Sequence, residues 1–376
     1  MTISHHFRGA FVFASVLAGF VTTTHAAGNN YTIELGAQTY QANNAVSVDQ
    51  FDADFTGYSP QHSQLYALGE NLAYIQASRA GYTLQAYKKQ EIFINAGRET
   101  GQLYADINAR VPPNNNRPYA IDFDGYGIEQ TGIGISKTFA LPLNKADTSL
   151  TITPAARVYN INRYREIQAG GFAAARADGS YDIAINTVER DTQADFTFPL
   201  GNSPSGMGYA FDVGANWQVN PALQAFAKVS DLLNFNSIKN APTTVQTINS
   251  NVNQFDADGF LNYNPAIQGR NSRETYDFSL PVKTHLGVLY AANSSLVDQL
   301  GFDVRHIQGL VLPRVSAAWV KPFAWLESVG VGYEAHFEAI DLAVNFKYGG
   351  VRLGFDSLSD DNRRVEFLQV FFKTDL

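Results

Sequence analysis

Alternation of apolar and polar residues along short segments is the feature of this sequence that most limits its fold. Residues 31–39 place Tyr31, Ile33 and Leu35 on one side of an extended chain, with polar residues between them. Residues 208–219 repeat the pattern with alternate aromatic and aliphatic side chains. A period of two is that of a β-strand whose two faces meet different surroundings. The pattern therefore predicts an all-β protein.

The last third of the chain shows the pattern most clearly. Alternating segments follow one another at residues 314–321, 326–336, 339–346, 351–355 and 365–372. Short turn-like junctions separate several of them, at Lys321–Pro322, Gly349–Gly350 and residues 360–362. Asn220–Pro221 marks another turn between two alternating segments, as in a hairpin. We expect an antiparallel meander.

The N-terminus resembles an export signal rather than part of the fold. Arg8 precedes an apolar stretch at residues 10–20, and Ala26 supplies the small residue at a cleavage site. We predict a signal peptide over residues 1–26, with an uncleaved anchor helix as the alternative. The apolar stretch is shorter than the roughly 20 residues that a membrane span requires.

No second apolar segment of helix length follows residue 26. Only helices and closed barrels satisfy all backbone hydrogen bonds in lipid. A mature chain in a membrane must therefore be a closed barrel, and an exported chain without cysteine suits the bacterial envelope. At roughly 25 residues for each strand with its connection, the mature chain is long enough for about 14 strands, within a range of about 12–16.

Composition excludes several classes of protein. The chain has 376 residues, a net charge of -8, 16% charged residues and no cysteine. Soluble proteins average about 25% charged residues. Without cysteine there is no disulfide framework, cysteine zinc site or thiol nucleophile, and an acidic chain is a poor direct binder of nucleic acid.

We therefore predict that residues 27–376 form one antiparallel transmembrane β-barrel of the outer membrane. Two regions alternate poorly, residues 165–206 and 234–275, and we expect long extracellular loops or inward plugs there. Residues 111–118 are also expected to form a loop because they are rich in proline and asparagine.

Aromatic residues on the strands are the best candidates for contact with the membrane. Amphipathic aromatic rings collect at the two interfaces of a bilayer. We expect an interfacial girdle, and the alternative is the buried core of a soluble sandwich. The candidate girdle residues are Trp217, Trp319, Trp325, Tyr209 and Tyr333.

Chemical motifs are weak. Asp122–Gly125 and Asp256–Gly259 resemble parts of a calcium loop but lack its further ligands, so ordinary acidic loops are expected and no metal or cofactor is predicted. Four histidines lack a recognisable catalytic partner pattern, so we predict no enzyme; they are His62, His285, His306 and His336. We expect His285 and His336 to face the lumen or an interface. Lys88, Lys89 and Arg314 either line a pore that attracts anions or are solvated strand ends.

Several segments resemble one family of outer-membrane proteins. Residues 208–218 with 223–234 look like the mid-barrel hairpin of FadL-like proteins, including the barrel-type TraF conjugal transfer proteins. Residues 280–290 resemble the following strand, and residues 314–355 are similar to the closing strands. The transporters of this family carry a plug segment before the first strand, whereas strand-like sequence here begins at Tyr31. No ligand-contact residue is carried over for that reason.

Three functions follow as hypotheses. The first is a channel or transporter for small, including hydrophobic, molecules. The second is a structural barrel of a conjugation or secretion assembly, as the TraF resemblance implies. The third is a soluble exported β-protein. The expected partners are outer-membrane lipid and, under the second hypothesis, envelope assembly proteins.

Overall fold

The computed structural model describes residues 31–46, 55, 58–109, 118–143, 147–175, 181–196, 198–199, 201–250, 253–255, 261–263, 266–292, 294, 296–323, 325–359 and 363–375. The signal peptide predicted for residues 1–26 lies outside them and stays a prediction.

Nearly all of the described chain is β-structure. The strands are β1 (Thr32–Asn43), β2 (Gln64–Arg79), β3 (Tyr82–Gly97), β4 (Pro118–Lys137), β5 (Phe139–Leu141), β6 (Ser149–Ala175), β7 (Tyr181–Asp191), β8 (Ser205–Asn220), β9 (Leu223–Asn249), β10 (Asn253–Phe255), β11 (Leu261–Tyr263), β12 (Ile267–Phe278), β13 (Lys283–Ala291), β14 (Gln299–Ile307), β15 (Leu310–Val320), β16 (Leu326–Glu334), β17 (Ala339–Phe346), β18 (Gly349–Phe355) and β19 (Val365–Asp375). Between β3 and β4 lies one helix, α1 (Arg98–Asn108). It is too short and too polar to cross a membrane, and no other helix occurs in the described residues.

The strands close into a barrel of 14 strand positions, all antiparallel. Three positions hold two strands each, because β5 continues β4, β8 continues β7 and β13 continues β12. β1 pairs with β19 from Thr32 opposite Asp375 to Ala42 opposite Val365, which joins the two ends of the sheet. The predicted fold class and strand number are confirmed.

Alternation gives the wall an inner and an outer face. In β17, Ile340 is 52% exposed and Leu342 is 50% exposed on the outside, whereas Asp341 between them is 7% exposed in the lumen. Each of the 14 positions contributes at least one exposed apolar side chain to the outer face. One example from each is Leu35, Ile75, Leu84, Ile133, Val158, Phe211, Leu233, Leu286, Phe302, Val315, Tyr333, Ile340, Leu353 and Phe372.

The two ends of the barrel differ. At the turn end, which holds the start of β1 and the end of β19, neighbouring strands join through connections such as Ala80–Gly81 and Pro221–Ala222. Gly81 has a φ of 78°, a left-handed conformation that glycine adopts without steric strain. The opposite end, the loop end, holds α1 and the connection from β1 to β2. There Thr100 of α1 hydrogen-bonds to the backbone of Asp122 and so covers the edge of β4.

The two segments predicted as loops or plugs contain strands. Residues 165–206 include the end of β6, all of β7 and the start of β8. Residues 234–275 include the end of β9 and most of β12. These strands pair with one another and form a wall extension at the loop end. Alternation fails there because polar side chains occupy both faces, as Glu166 with Arg190 on one and Arg165 with Glu189 on the other.

The structure confirms one predicted turn and places another elsewhere. Asn220–Pro221 is confirmed, since β8 ends at Asn220 and β9 begins at Leu223. Lys321–Pro322 lies in the connection between β15 and β16. Gly349–Gly350 is instead the start of β18, and the turn before it is Lys347–Tyr348. The turn expected at residues 360–362 lies outside the described residues, as does most of the loop at 111–118.

Candidate functional site in the barrel lumen

Charged side chains from most strands meet inside the barrel and form what we call the ionic belt. Its members are Glu70, Lys89, Glu91, Arg157, Asp212, Asp231, Lys283, His285, Asp303, Arg314, Asp341 and Arg352. They come from strands between β2 and β18 and point inward because each occupies a lumen-facing position of the alternation.

One half of the belt crosses the lumen. Lys283 Nζ of β13 lies 2.8 Å from a carboxylate oxygen of Glu91 on β3 and 2.9 Å from Asp231 Oδ2 on β9. Arg157 Nη2 of β6 donates to the other carboxylate oxygen of Asp231 at 2.7 Å. Since β4, β6, β8 and β9 separate β3 from β13 along the wall, the contact between Lys283 and Glu91 bridges two distant parts of the cylinder.

The other half of the belt follows one side of the wall. His285 Nε2 lies 2.9 Å from Asp303 Oδ1, and Arg314 Nη1 donates to Asp303 Oδ2 at 3.0 Å. Arg314 also donates from Nε to Asp341 Oδ2 at 2.8 Å, and Arg352 Nε donates to Asp341 Oδ1 at 2.7 Å. The pair between Arg314 and Asp341 joins β15 to β17 and passes over β16.

Gly332 of β16 makes that passage possible. A Cβ at this position would collide with the guanidinium of Arg314 and the carboxylate of Asp341. An alanine here would therefore push the ends of these two paired side chains out of their places. Two residues away on the same face, a Cβ at Gly330 would meet nothing nearer than 3.5 Å.

An apolar cluster, the apolar cap, lines the lumen on the loop-end side of the belt. It joins strands β1, β2, β3, β15, β17 and β19, and its members are 8% exposed or less. They are Tyr40, Ala42, Leu68, Phe93, Leu310, Leu312, Phe337, Ala339, Val365 and Phe367. These strands are neighbours on one side of the ring, from β15 through β19 and β1 to β3, so the cap occupies that side of the lumen.

The predicted pore lysines and arginine fall in different places. Lys89 and Arg314 are in the lumen, where carboxylates neutralise them, so neither is an uncompensated anion site. Lys88 is on the outer face, and its side chain is 62% exposed and paired with Glu129. The three residues therefore do not form an uncompensated ring that attracts anions, and they are not all solvated strand ends either.

The predicted histidines are dispersed. His285 faces the lumen as expected, whereas His336 lies in the connection between β16 and β17, where burial and then His62 lower its pKa. His306 accepts a hydrogen bond from the amide of Gly309 at 3.2 Å. No group of three metal-binding side chains occurs in the described residues. Asp122–Gly125 belongs to β4 and is not the loop that the sequence predicts, and residues 256–259 lie outside the described residues.

The five candidate girdle residues are all on the outer face, between 38% and 68% exposed. Trp217 and Trp319 are near the turn-end termini of β8 and β15, and Trp325 lies just before β16. Tyr333 is next to the loop-end terminus of β16, and Tyr209 stacks on Phe235 with centroids 5.6 Å apart.

The sequence reasoning missed further exposed aromatic residues at the turn end. They are Tyr31, Tyr82, Phe139, Tyr290, Phe323 and Tyr348. Three of them carry a basic side chain over the ring, at 4.5 Å for Arg79 on Tyr31, 3.7 Å for Lys137 on Tyr82 and 5.0 Å for Lys347 on Tyr348. In the sequence, these three residues could have been recognised as aromatic residues that lie next to a turn and have a basic residue nearby.

Replacing Gly332 by alanine should displace the pair between Arg314 and Asp341 and lower the free energy of unfolding by about 1–3 kcal/mol, the usual cost of inserting a methyl group into a packed interior. The measurement is the urea concentration at which the compact, unboiled gel band disappears. Gly330→Ala is the matched control and should leave that midpoint unchanged. Equal midpoints for the two variants would contradict the account.

Comparison with known proteins gives a family and distant structural likenesses. The toluene transporter TodX of P. putida is 10% identical, with 93% of this chain and 89% of that chain covered and a TM-score of 0.40. A Pseudomonas aeruginosa FadL homologue is 9% identical over 92% of this chain and 88% of its own, with a TM-score of 0.36. The outer membrane protease OmpT of Escherichia coli is 8% identical over 94% and 99%, with a TM-score of 0.23.

No curated protein matches the sequence. The model of a protein family described as a family of unknown function, DUF5723, matches residues 139–353. Because the match spans more than half of the 376 residues, the chain belongs to the DUF5723 family.

Proposed function

We propose that the chain is an outer-membrane β-barrel that forms a gated channel for small molecules. The observation that carries the proposal is the inversion of polarity, with apolar side chains on the outer face of all 14 positions and the ionic belt within. A water-soluble barrel would place its apolar side chains inside. A closed ladder also leaves no unpaired strand edge, which lipid would not tolerate.

The turn-end aromatic residues support placement of this end at one membrane interface. Aromatic rings and long basic side chains are both favoured where hydrocarbon meets water. Trp217, Trp319 and Trp325 lie at this end with the pairs formed by Arg79 and Lys137. The proposed girdle thus contains these three tryptophans, while Tyr209 and Tyr333 belong toward the other interface.

The belt favours water-soluble cargo over hydrophobic cargo. Its paired carboxylates, guanidiniums and amines keep further hydrogen-bonding capacity toward a polar solute, whereas an apolar solute in the belt would displace water from charged groups, which costs free energy. The charges largely compensate one another, so weak selectivity between anions and cations is expected.

The three tryptophans provide a test of the membrane placement, because the chain contains no others. In vesicles, lipids brominated near the headgroup should quench tryptophan fluorescence more strongly than lipids brominated at the chain ends. Trp325→Phe is a control that should reduce emission without changing this order. Emission that no brominated lipid quenches would contradict insertion in this orientation.

Conductance in planar bilayers tests the channel itself. The inserted protein should give discrete but infrequent steps, because the belt and the apolar cap obstruct the lumen at rest. The heat-modifiable band on gels verifies that the folded barrel was added. We call the contact between Lys283 and Glu91 the cross-lumen tie. If the wild type and a variant without this tie both leave the bilayer at the conductance of bare lipid, the channel proposal is wrong and a structural barrel is favoured.

A further inference from the structure

The wall of the barrel is regular on one side of the cross-lumen tie and irregular on the other. β3, which carries Glu91, pairs with β2 and with β4 without any register shift. β9, which carries Asp231, is shifted against β8 between Phe211 and Val213. Glu91 therefore lies on a strand whose hydrogen-bond ladders are continuous on both sides, whereas its partners lie where the ladder is interrupted.

The discontinuity lies where Lys283 and Asp231 enter the lumen. β12 ends at Phe278 opposite Asn236, and β13 begins at Lys283 opposite Ser230. Residues 231–235 of β9 and residues 279–282 have no ladder pairing with each other. We call these two stretches the wall break. Asp231 within it has a φ of 58° and is 1% exposed, so a strained backbone holds a buried carboxylate.

A side chain replaces the missing ladder bonds. Asn234 Nδ2 donates to the carbonyls of Leu280 and Asp231, both at 2.9 Å. Asn234 Oδ1 accepts from the amide of Leu280 at 2.6 Å. A buried backbone group without a partner is costly, and one amide side chain here satisfies three of them. Two more side-chain bonds hold the same segment, from Asn236 Nδ2 to the carbonyl of Phe278 at 3.3 Å and from Ser279 Oγ to the carbonyl of Asn234 at 3.2 Å. Because side chains and not ladder bonds hold it, the segment can move without unzipping a strand.

We propose that Glu91, Lys283 and Asp231 form a latch that holds the lumen closed, and that the wall break is its hinge. On opening, the segment before β13 moves and carries Lys283 away from Glu91, while β3 keeps its place. Asn234 is the positioning residue that holds the hinge in its closed form. The inference rests on the proposed channel function and names the residues that gate it.

The wall extension supplies a comparison within the same molecule. Arg165 and Glu189 also form an ion pair, with 2.7 Å from Nη2 to Oε1, but they join the neighbouring strands β6 and β7, do not cross the lumen and are not part of the ionic belt. Removing that pair should leave the lumen closed. Removing the latch should open it.

Single-channel recording in planar bilayers tests the latch with four variants of the full chain. Lys283→Met and Glu91→Gln each remove one charge of the tie, Asn234→Ala loosens the hinge without removing a charge, and Arg165→Met is the control. The first two should raise the open fraction at least about tenfold over the wild type, since breaking a buried ion pair shifts an equilibrium by more than tenfold. Asn234→Ala should also raise it, because buried backbone groups of the hinge lose their partner. Arg165→Met should leave the open fraction unchanged.

The outcomes separate the latch from the channel. Wild type and tie variants that conduct with equal open fractions overturn the latch and leave the channel proposal standing. An equal rise with Arg165→Met also overturns the latch, because the loss of any ion pair of the wall would then explain the effect. Silence of every variant that shows the heat-modifiable band counts against the channel itself. If Lys283→Met fails to fold, Glu91→Gln and Asn234→Ala decide the matter.

Discussion

The pairing of β1 with β19 is the interaction on which the rest of the structure depends. It joins strands more than 300 residues apart in sequence and gives every wall strand a neighbour on both sides for at least part of its length. Once the ring is closed, the outer face can be apolar, since the sheet has no free strand edge. The same closure confines the inward side chains to a narrow space, where they must pair with one another.

The inside of the barrel follows from that confinement. Charges withdrawn from water are tolerated only when paired and hydrogen-bonded, and the belt pairs them along the wall and across it. Small residues make room where the pairs pass, as at Gly332 beneath Arg314 and Asp341. The wall break beside Asp231 is the one described place where a cross-lumen pair meets an irregular ladder, which is why gating is assigned to it.

The sequence predicted the strands whose two faces differ in polarity. β1, β8 and β17 alternate because their outward residues are mostly apolar and their lumen-facing ones are mostly polar or small. β2 was not predicted as a strand because some of its inward residues are as apolar as its outward ones, such as Leu68, which belongs to the apolar cap. The strands of the wall extension were not predicted because ion pairs on both of its faces interrupt the alternation, although apolar side chains such as Ile183 and Ile185 also occur there. The sequence alone could not predict the latch, since Glu91 and Lys283 are 192 residues apart and only the closed ring brings them together.

Cross-linking of the closing seam tests the central claim most directly, since the chain has no native cysteine. Val370 of β19 stands opposite Ala37 of β1 on one side and Val351 of β18 on the other. The pair Ala37→Cys with Val370→Cys should cross-link in membranes, by oxidation or a short bifunctional thiol reagent, as efficiently as Val351→Cys with Val370→Cys. A hairpin pair that cross-links while the seam pair does not would show an open sheet and contradict the account.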